Sequence, residues 1–117
     1  MPETLSLNQW SLEGEWTIGR ENATLDQAGG SIAFRFHARD AHLVLSPVAR
    51  GPIPFRVLLD GEAPGPSHGV DVDEDGHGVL RDGRLYQLVR EAETVRERTL
   101  QITFLESGAE ANSFTFG

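Results

Sequence analysis

The chain has 117 residues, with 18 acidic side chains against 10 basic ones, a formal net charge of -8 and no cysteine. That length suits one domain around one two-layer core, while the acidic balance repels phosphate backbones and argues against nucleic-acid binding. The absent thiols exclude disulfide scaffolds, thiolate metal sites and dithiol redox chemistry.

No apolar run approaches the roughly 20 residues of a membrane helix, so direct membrane insertion is not expected. No charged n-region followed by an apolar stretch opens the chain, so no signal peptide is read there. A single domain is expected over residues 1–117, with 1–6 as a flexible lead-in, either as a fragment of a larger polypeptide or as a truncated product. Every basic residue is arginine. That suits planar pairing with carboxylates or hydroxyls, although genomic base composition explains the bias equally well.

Period-2 alternation dominates in chain order. Strands are expected near Glu15–Arg20, Ala23–Leu25, Ser31–Ala38, His42–Ser46, Pro54–Leu59, Val70–Val72, Leu85–Val89, Thr99–Leu105 and Ser113–Phe116. In Ser31–Ala38 the apolar Ile32, Phe34 and Phe36 fall on one face and Arg35 and His37 on the other. Gly29-Gly30, Gly51-Pro52, Asp60-Gly61, Asp82-Gly83 and Ser107-Gly108 punctuate these runs as turns. Gly61–Gly69 is the one real loop. Within Arg84–Val95, Leu85, Leu88, Ala92 and Val95 also sit at helical spacing, so a short helix competes with a strand plus turn. Eight or nine short antiparallel strands with tight turns describe an all-β sandwich, most simply a jelly roll.

The stretch His68–Arg90 concentrates the polar chemistry. Asp71, Asp73 and Asp75 alternate into Gly76, the first half of a calcium-loop pattern, with Asp82 further on. No entering helix can form from Gly61–Gly69, and in an extended strand Asp71 and Asp73 lie roughly 7 Å apart. A polar strand edge running into an aspartate-glycine turn is therefore the simpler account, and calcium at the three aspartates the sharper one. His68 and His77 flank them without the spacing of a transition-metal site. His37 and His42 read as polar-face partners within strands.

Arg35, His37, Arg56, Arg84 and Tyr86 fall on polar faces and are expected to line a groove suited to hydroxyl-rich ligands. The competing account is a solvated sheet face with arginine–carboxylate pairs worth about 0–1 kcal/mol each. Trp10 and Trp16, each two residues before an aliphatic side chain, read as inward packing. No nucleophile elbow, cysteine nucleophile or phosphate-cradling loop is present, so no catalytic residues are assigned and a non-catalytic module is expected.

The segments Arg35–Leu45 (RFHARDAHLVL), Phe55–Gly61 (FRVLLDG), His68–Gly78 (HGVDVDEDGHG), Arg84–Arg90 (RLYQLVR) and Ser113–Gly117 (SFTFG) resemble, in the same order, the C-terminal domain of DipZ-type thioredoxin-like, cytochrome c biogenesis proteins. The likeness runs from Leu7 onward. It implies a jelly roll similar to carbohydrate-binding modules, following a thioredoxin-like domain whose dithiol this chain lacks. It also implies an accessory role with oligosaccharide as ligand, or a protein-interaction role in which the module docks on a thioredoxin-like partner, in an extracytoplasmic setting. Asn112 is a departure, since the resemblance implies an aromatic shortly before FTFG.

Overall fold

The structure, a computed structural model, describes Leu7 and residues 9–48 and 52–117. Ten strands form among them: β1 (Trp10–Glu13), β2 (Trp16–Ile18), β3 (Ala23–Leu25), β4 (Ser31–His37), β5 (Asp40–Pro47), β6 (Ile53–Leu59), β7 (His77–Leu80), β8 (Arg84–Arg90), β9 (Glu97–Phe104) and β10 (Ala109–Phe116). They build two five-stranded sheets, one in the order β1-β4-β9-β6-β7 and the other β2-β3-β10-β5-β8, with every pairing antiparallel. The chain changes sheet at most of its turns. The result is a β-sandwich of the jelly-roll type.

Alternation explains why these segments stack face to face. In β6 the side chains of Ile53, Phe55, Val57 and Leu59 are buried while Pro54, Arg56 and Leu58 look outward. Leu100, Ile102 and Phe104 do the same from β9, and Ala41, Leu43 and Leu45 from β5. The two inner faces meet in one core with Phe36, Phe55, Phe104 and Tyr86 among its largest fully buried side chains. Each fully buried large apolar side chain contributes about 1.5–3 kcal/mol relative to exposure.

Register fixes the inner faces. The longest continuous ladder runs from Ser31↔Thr103 to His37↔Glu97, and β6 pairs with the other edge of β9 from Phe55↔Phe104 to Leu59↔Leu100. At the β6 exit Asp60 and Gly61 both take left-handed backbone, φ 54° and 82°, and Leu59 bridges Glu62. Two consecutive positive φ values turn a hairpin tightly, and aspartate and glycine are the residues that tolerate them.

Two expectations need correction, and one choice left open is decided. The strands number ten, not eight or nine, because Trp10–Glu13 adds an edge strand beside β4. Val70–Val72 is a turn, and the strand in this region is His77–Leu80, paired with β6. No helix forms in Arg84–Val95: Arg84–Arg90 is strand, followed by irregular backbone. Of the helically spaced residues Leu85 and Val95 are exposed, and a register shift between Ala41 and His42 lets Leu88 and Val89 both turn inward. The turn expected at Gly51-Pro52 begins at Gly51, and the lead-in expected at 1–6 precedes Leu7; both lie outside the described residues.

Candidate functional site

The aspartate-rich stretch folds into a strap that closes one edge of the sandwich. Leaving β6, the chain passes through a 3-10 turn at Gly65–Ser67 and crosses to the free edge of β8. There the Gly69 amide donates to Leu88 O at 3.0 Å and the Asp71 amide to Gln87 O at 3.2 Å. A Cβ on Gly69 would strike the Gln87 carbonyl, so glycine is required for this approach. The strap then returns to β7 through Gly76, whose φ of 90° is left-handed. Backbone groups of β8 that an edge strand would leave open are thereby satisfied.

The carboxylates are committed to this strap individually. Asp71 Oδ1 accepts from Arg84 Nη2 at 2.8 Å and its Oδ2 accepts from the Gln87 amide at 2.7 Å. Burial alone would raise the Asp71 carboxyl, but the Arg84 and Gln87 hydrogen bonds and the Arg84 and His42 charges outweigh it and hold it below the usual carboxylate value. Asp73 Oδ1 accepts from the His77 and Asp75 amides at 2.9 and 3.0 Å, closing a local turn, and those bonds lower its pKa also. Among the described residues no group of three or more His, Asp or Glu side chains converges on a point where a metal could sit. Asp71, Asp73 and Asp75 therefore do not form the expected calcium set. His68 Nδ1 lies 2.9 Å from Gly69 O, within the strap.

Nor does the expected groove assemble. Tyr86 is a core side chain, 1% exposed. Its hydroxyl donates to Asp82 O at 2.7 Å and accepts from the Arg81 and Asp82 amides at 3.2 Å, pinning the β7–β8 turn. Phe55 meets its ring edge-on and the Arg84 guanidinium lies 3.8 Å from the ring centroid. Arg35 and Arg56 project from the outer face of the other sheet, opposite Thr99 and Thr103 of β9, roughly 13 Å apart along the strand. Arg35 bonds Thr99 Oγ1 at 3.0 Å and pairs with Glu97 at 3.6 Å, Arg56 bonds Asp75 O at 3.3 Å, and His37 ends β4 exposed. Arg35, His37 and Arg56 thus share the outer face of one sheet, whereas Arg84 and Tyr86 belong to β8 of the other, where Tyr86 points into the core and Arg84 covers its ring.

A second polar cluster, unforeseen in the sequence, ties the base of the strap to β9. Glu91, 8% exposed, accepts from Ser67 Oγ at 2.6 Å and Arg98 Nη1 at 2.7 Å. The Ser67 hydroxyl oxygen accepts from the Ala92 amide at 3.1 Å, and Arg98 also pairs with Asp60. Burial raises the Glu91 carboxyl, yet the Ser67 and Arg98 hydrogen bonds and the charges of Arg98 and Arg96 bring it below its ordinary value. These groups are mutually satisfied and enclosed.

The opposite edge of the sandwich is open. Edge strands β1 and β2 belong to different sheets and do not pair, and a cleft of about 540 Å³ lies between the sheets there, within the roughly 300–1,000 Å³ range of small-molecule sites. Trp10 pairs across strands with Phe34 and Leu12 with Ile32, so all four point inward. Trp10 nevertheless remains 57% exposed and Ile18 62%, and both line the cleft. The floor is aromatic, with the Phe34 ring 4.8 Å from Phe114 and 5.1 Å from Phe116 between centroids. Arg20, Glu21 and Asn22 from the β2–β3 turn line one lip. Asn112 lines it too, at the irregularity in β10 between Ala111 and Ser113. Trp16 behaves as the sequence implied, half-buried and edge-on to Phe104 at 6.2 Å, whereas Trp10 does not. The sequence signals for this site were the short spacing of Trp10 from the start of the fold and the polar Asn112 beside Phe114 and Phe116.

The whole chain, residues 1–117, matches the family model described as thioredoxin like C-terminal domain. The chain belongs to that family. No curated protein matches it. Among solved structures, a family two carbohydrate esterase from Clostridium thermocellum in complex with cellohexaose aligns with a TM-score of 0.72 at 12% identity, over 93% of this chain and 31% of that one. A family two carbohydrate esterase from Cellvibrio japonicus aligns with a TM-score of 0.63 at 11% identity, over 90% and 29%. The chain thus spans about a third of the length of these structures, and at such identities the likeness is one of fold. The β-sandwich and its membership of the thioredoxin-associated family stand as expected. No helix of the described residues is long and apolar enough to cross a membrane.

Proposed function

We propose that this thioredoxin like C-terminal domain is a non-catalytic accessory module that binds carbohydrate in the open cleft between its sheets. One observation carries the reading: Trp10, half out of the core, overhangs a concavity whose lip offers Arg20, Glu21, Asn22 and Asn112. An exposed indole presents an apolar face to the C–H face of a sugar ring. Donors and acceptors beside it suit the hydroxyls at the ring edge. The cellohexaose complex of the Clostridium thermocellum esterase, a protein sharing this fold, supports the ligand class. An extracytoplasmic setting, where glycans are encountered, accords with this reading.

Calorimetric titration with cellohexaose and a wider saccharide panel tests it, with tryptophan fluorescence as a second signal. Saturable binding is expected, weakened at least tenfold by Trp10→Ala. Absence of binding by every saccharide would sink the proposal. A second reading has its own support: Trp10, Ile18 and Phe116 form an exposed apolar mouth, which suits docking on a thioredoxin-like partner domain. Co-elution with such a domain, abolished by Ile18→Glu, would favour that alternative.

A further inference from the structure

Resting on the carbohydrate reading, the geometry points to a more specific ligand: a neutral glycan carrying an alkyl, acyl or aryl substituent, with the sugar at the lip and the substituent between the sheets. Among the described residues the polar side chains of the cleft come from the Gly19–Asn22 turn and the β10 irregularity, which we place at the mouth. Deeper in, the walls are Leu12, Ala23, Ile32, Phe34, Ala111 and Phe114. Much of the inner wall's backbone is committed to the sheets. Ile32 and Phe34 are laddered to β1 on one side and β9 on the other, and Leu43 to β10 and β8.

A bare pyranose is ringed by hydroxyls. Pushed inward, those hydroxyls lose water and find no partner. It fits the mouth and leaves the inner cleft unfilled. An apolar group attached to the sugar fills that volume and gains contact with the phenylalanine rings. The headgroup is neutral because Arg20 and Glu21 place one charge of each sign on the same lip, while the whole chain carries -8 and repels anionic headgroups.

The test uses methyl, butyl, hexyl and octyl β-D-glucosides, each below its micelle concentration, with 1-hexanol and cellohexaose as comparison ligands. Affinity is expected to rise with chain length, by up to about fourfold per methylene until the inner cleft is full. Ala111→Leu, which places a larger side chain in the inner wall, flattens that slope; Ala23→Val gives the same readout should Ala111→Leu fail to fold. A flat series in the unmodified protein, with cellohexaose bound as tightly as octyl glucoside, overturns this inference and leaves the carbohydrate reading standing. Hexanol bound as tightly as hexyl glucoside, or no binding by any probe, overturns both.

Discussion

The two edges of this sandwich were built from opposite materials. At the β7–β8 edge lie most of the conspicuous residues: alternating aspartates, a tyrosine, a stacked arginine and two glycines with special backbone roles. Asp71, Asp73, Tyr86 and Arg84 are taken up in bonds within the strap, β8 and the β7–β8 turn, and the edge of β8 is covered. At the β1–β2 edge the residues are ordinary, and the inner face is left uncovered. Ion pairs, buried hydroxyls and cation–π contacts therefore mark where this fold is held together. The place where a partner can enter is marked by inward-pointing apolar side chains that have no opposite number.

Changes at the closed edge should cost stability, and the largest loss is expected at Glu91. Its side chain is only 3% exposed and that of its partner Arg98 14%. Glu91→Ala strands the guanidinium and the Ser67 hydroxyl, and the cost of breaking such a buried pair is about 3–5 kcal/mol. Because Arg98 keeps Asp60, the lower end is expected in urea denaturation. Gly69→Ala follows. A methyl group there meets the Gln87 carbonyl and pushes the strap off β8, at about 1–3 kcal/mol. Hydrogen exchange of the Gly69 and Asp71 amides would accelerate with it.

Asp71 gives a smaller effect with a distinct pH signature. Asp71→Asn weakens the bond to the half-exposed Arg84 and retains an acceptor for the Gln87 amide, so about 1 kcal/mol is expected after allowance for solvent screening. The folded-state pKa values of Asp71 and Glu91 lie below their ordinary values. Their contribution is thus fully present above the unfolded carboxylate range and disappears as pH falls through the folded values. Thermal unfolding followed from about pH 7 down to pH 2 should show a declining acid limb. In Asp71→Asn that limb should be shallower; an unchanged slope would mean the Arg84 bond contributes nothing to it.

Much of the fold was legible because alternation is local. Ala23–Leu25 was read with its observed bounds, and the inner rows Phe55-Val57-Leu59 and Leu100-Ile102-Phe104 were evident from period alone. What alternation does not encode is which sheet a strand joins. Arg35 and Arg56 sit on strands read from alternation and Arg84 opens β8, one residue ahead of the strand read at Leu85–Val89, yet the groove they were expected to share required them to be neighbours. The strap was misread for the same reason: Val70 and Val72 alternate with Asp71, but the segment's partners are Gln87 and Leu88, a pairing set by tertiary approach. Trp10 was read as core because its side chain does point inward. That the sheet facing it ends short of it is a property of topology.

Trp10→Ala should invert the behaviour of the closed edge, and it is the sharpest way to break the comparison. The indole is more than half exposed and its cross-strand neighbour Phe34 keeps its stacking with Phe114 and Phe116. Removing it forfeits only the buried fraction of its area, about 1.5–2.5 kcal/mol in urea denaturation. The same substitution deletes the overhanging ring of the cleft, so saccharide affinity should fall at least tenfold. Glu91→Ala, compared at a temperature where it is still folded, should alter affinity little, since neither Glu91 nor its partners Ser67 and Arg98 line the cleft. A Trp10→Ala protein that unfolds as readily as Glu91→Ala would make the tryptophan a structural residue after all. One that stays folded and loses its ligand separates the edge that holds the sandwich shut from the edge that admits something into it.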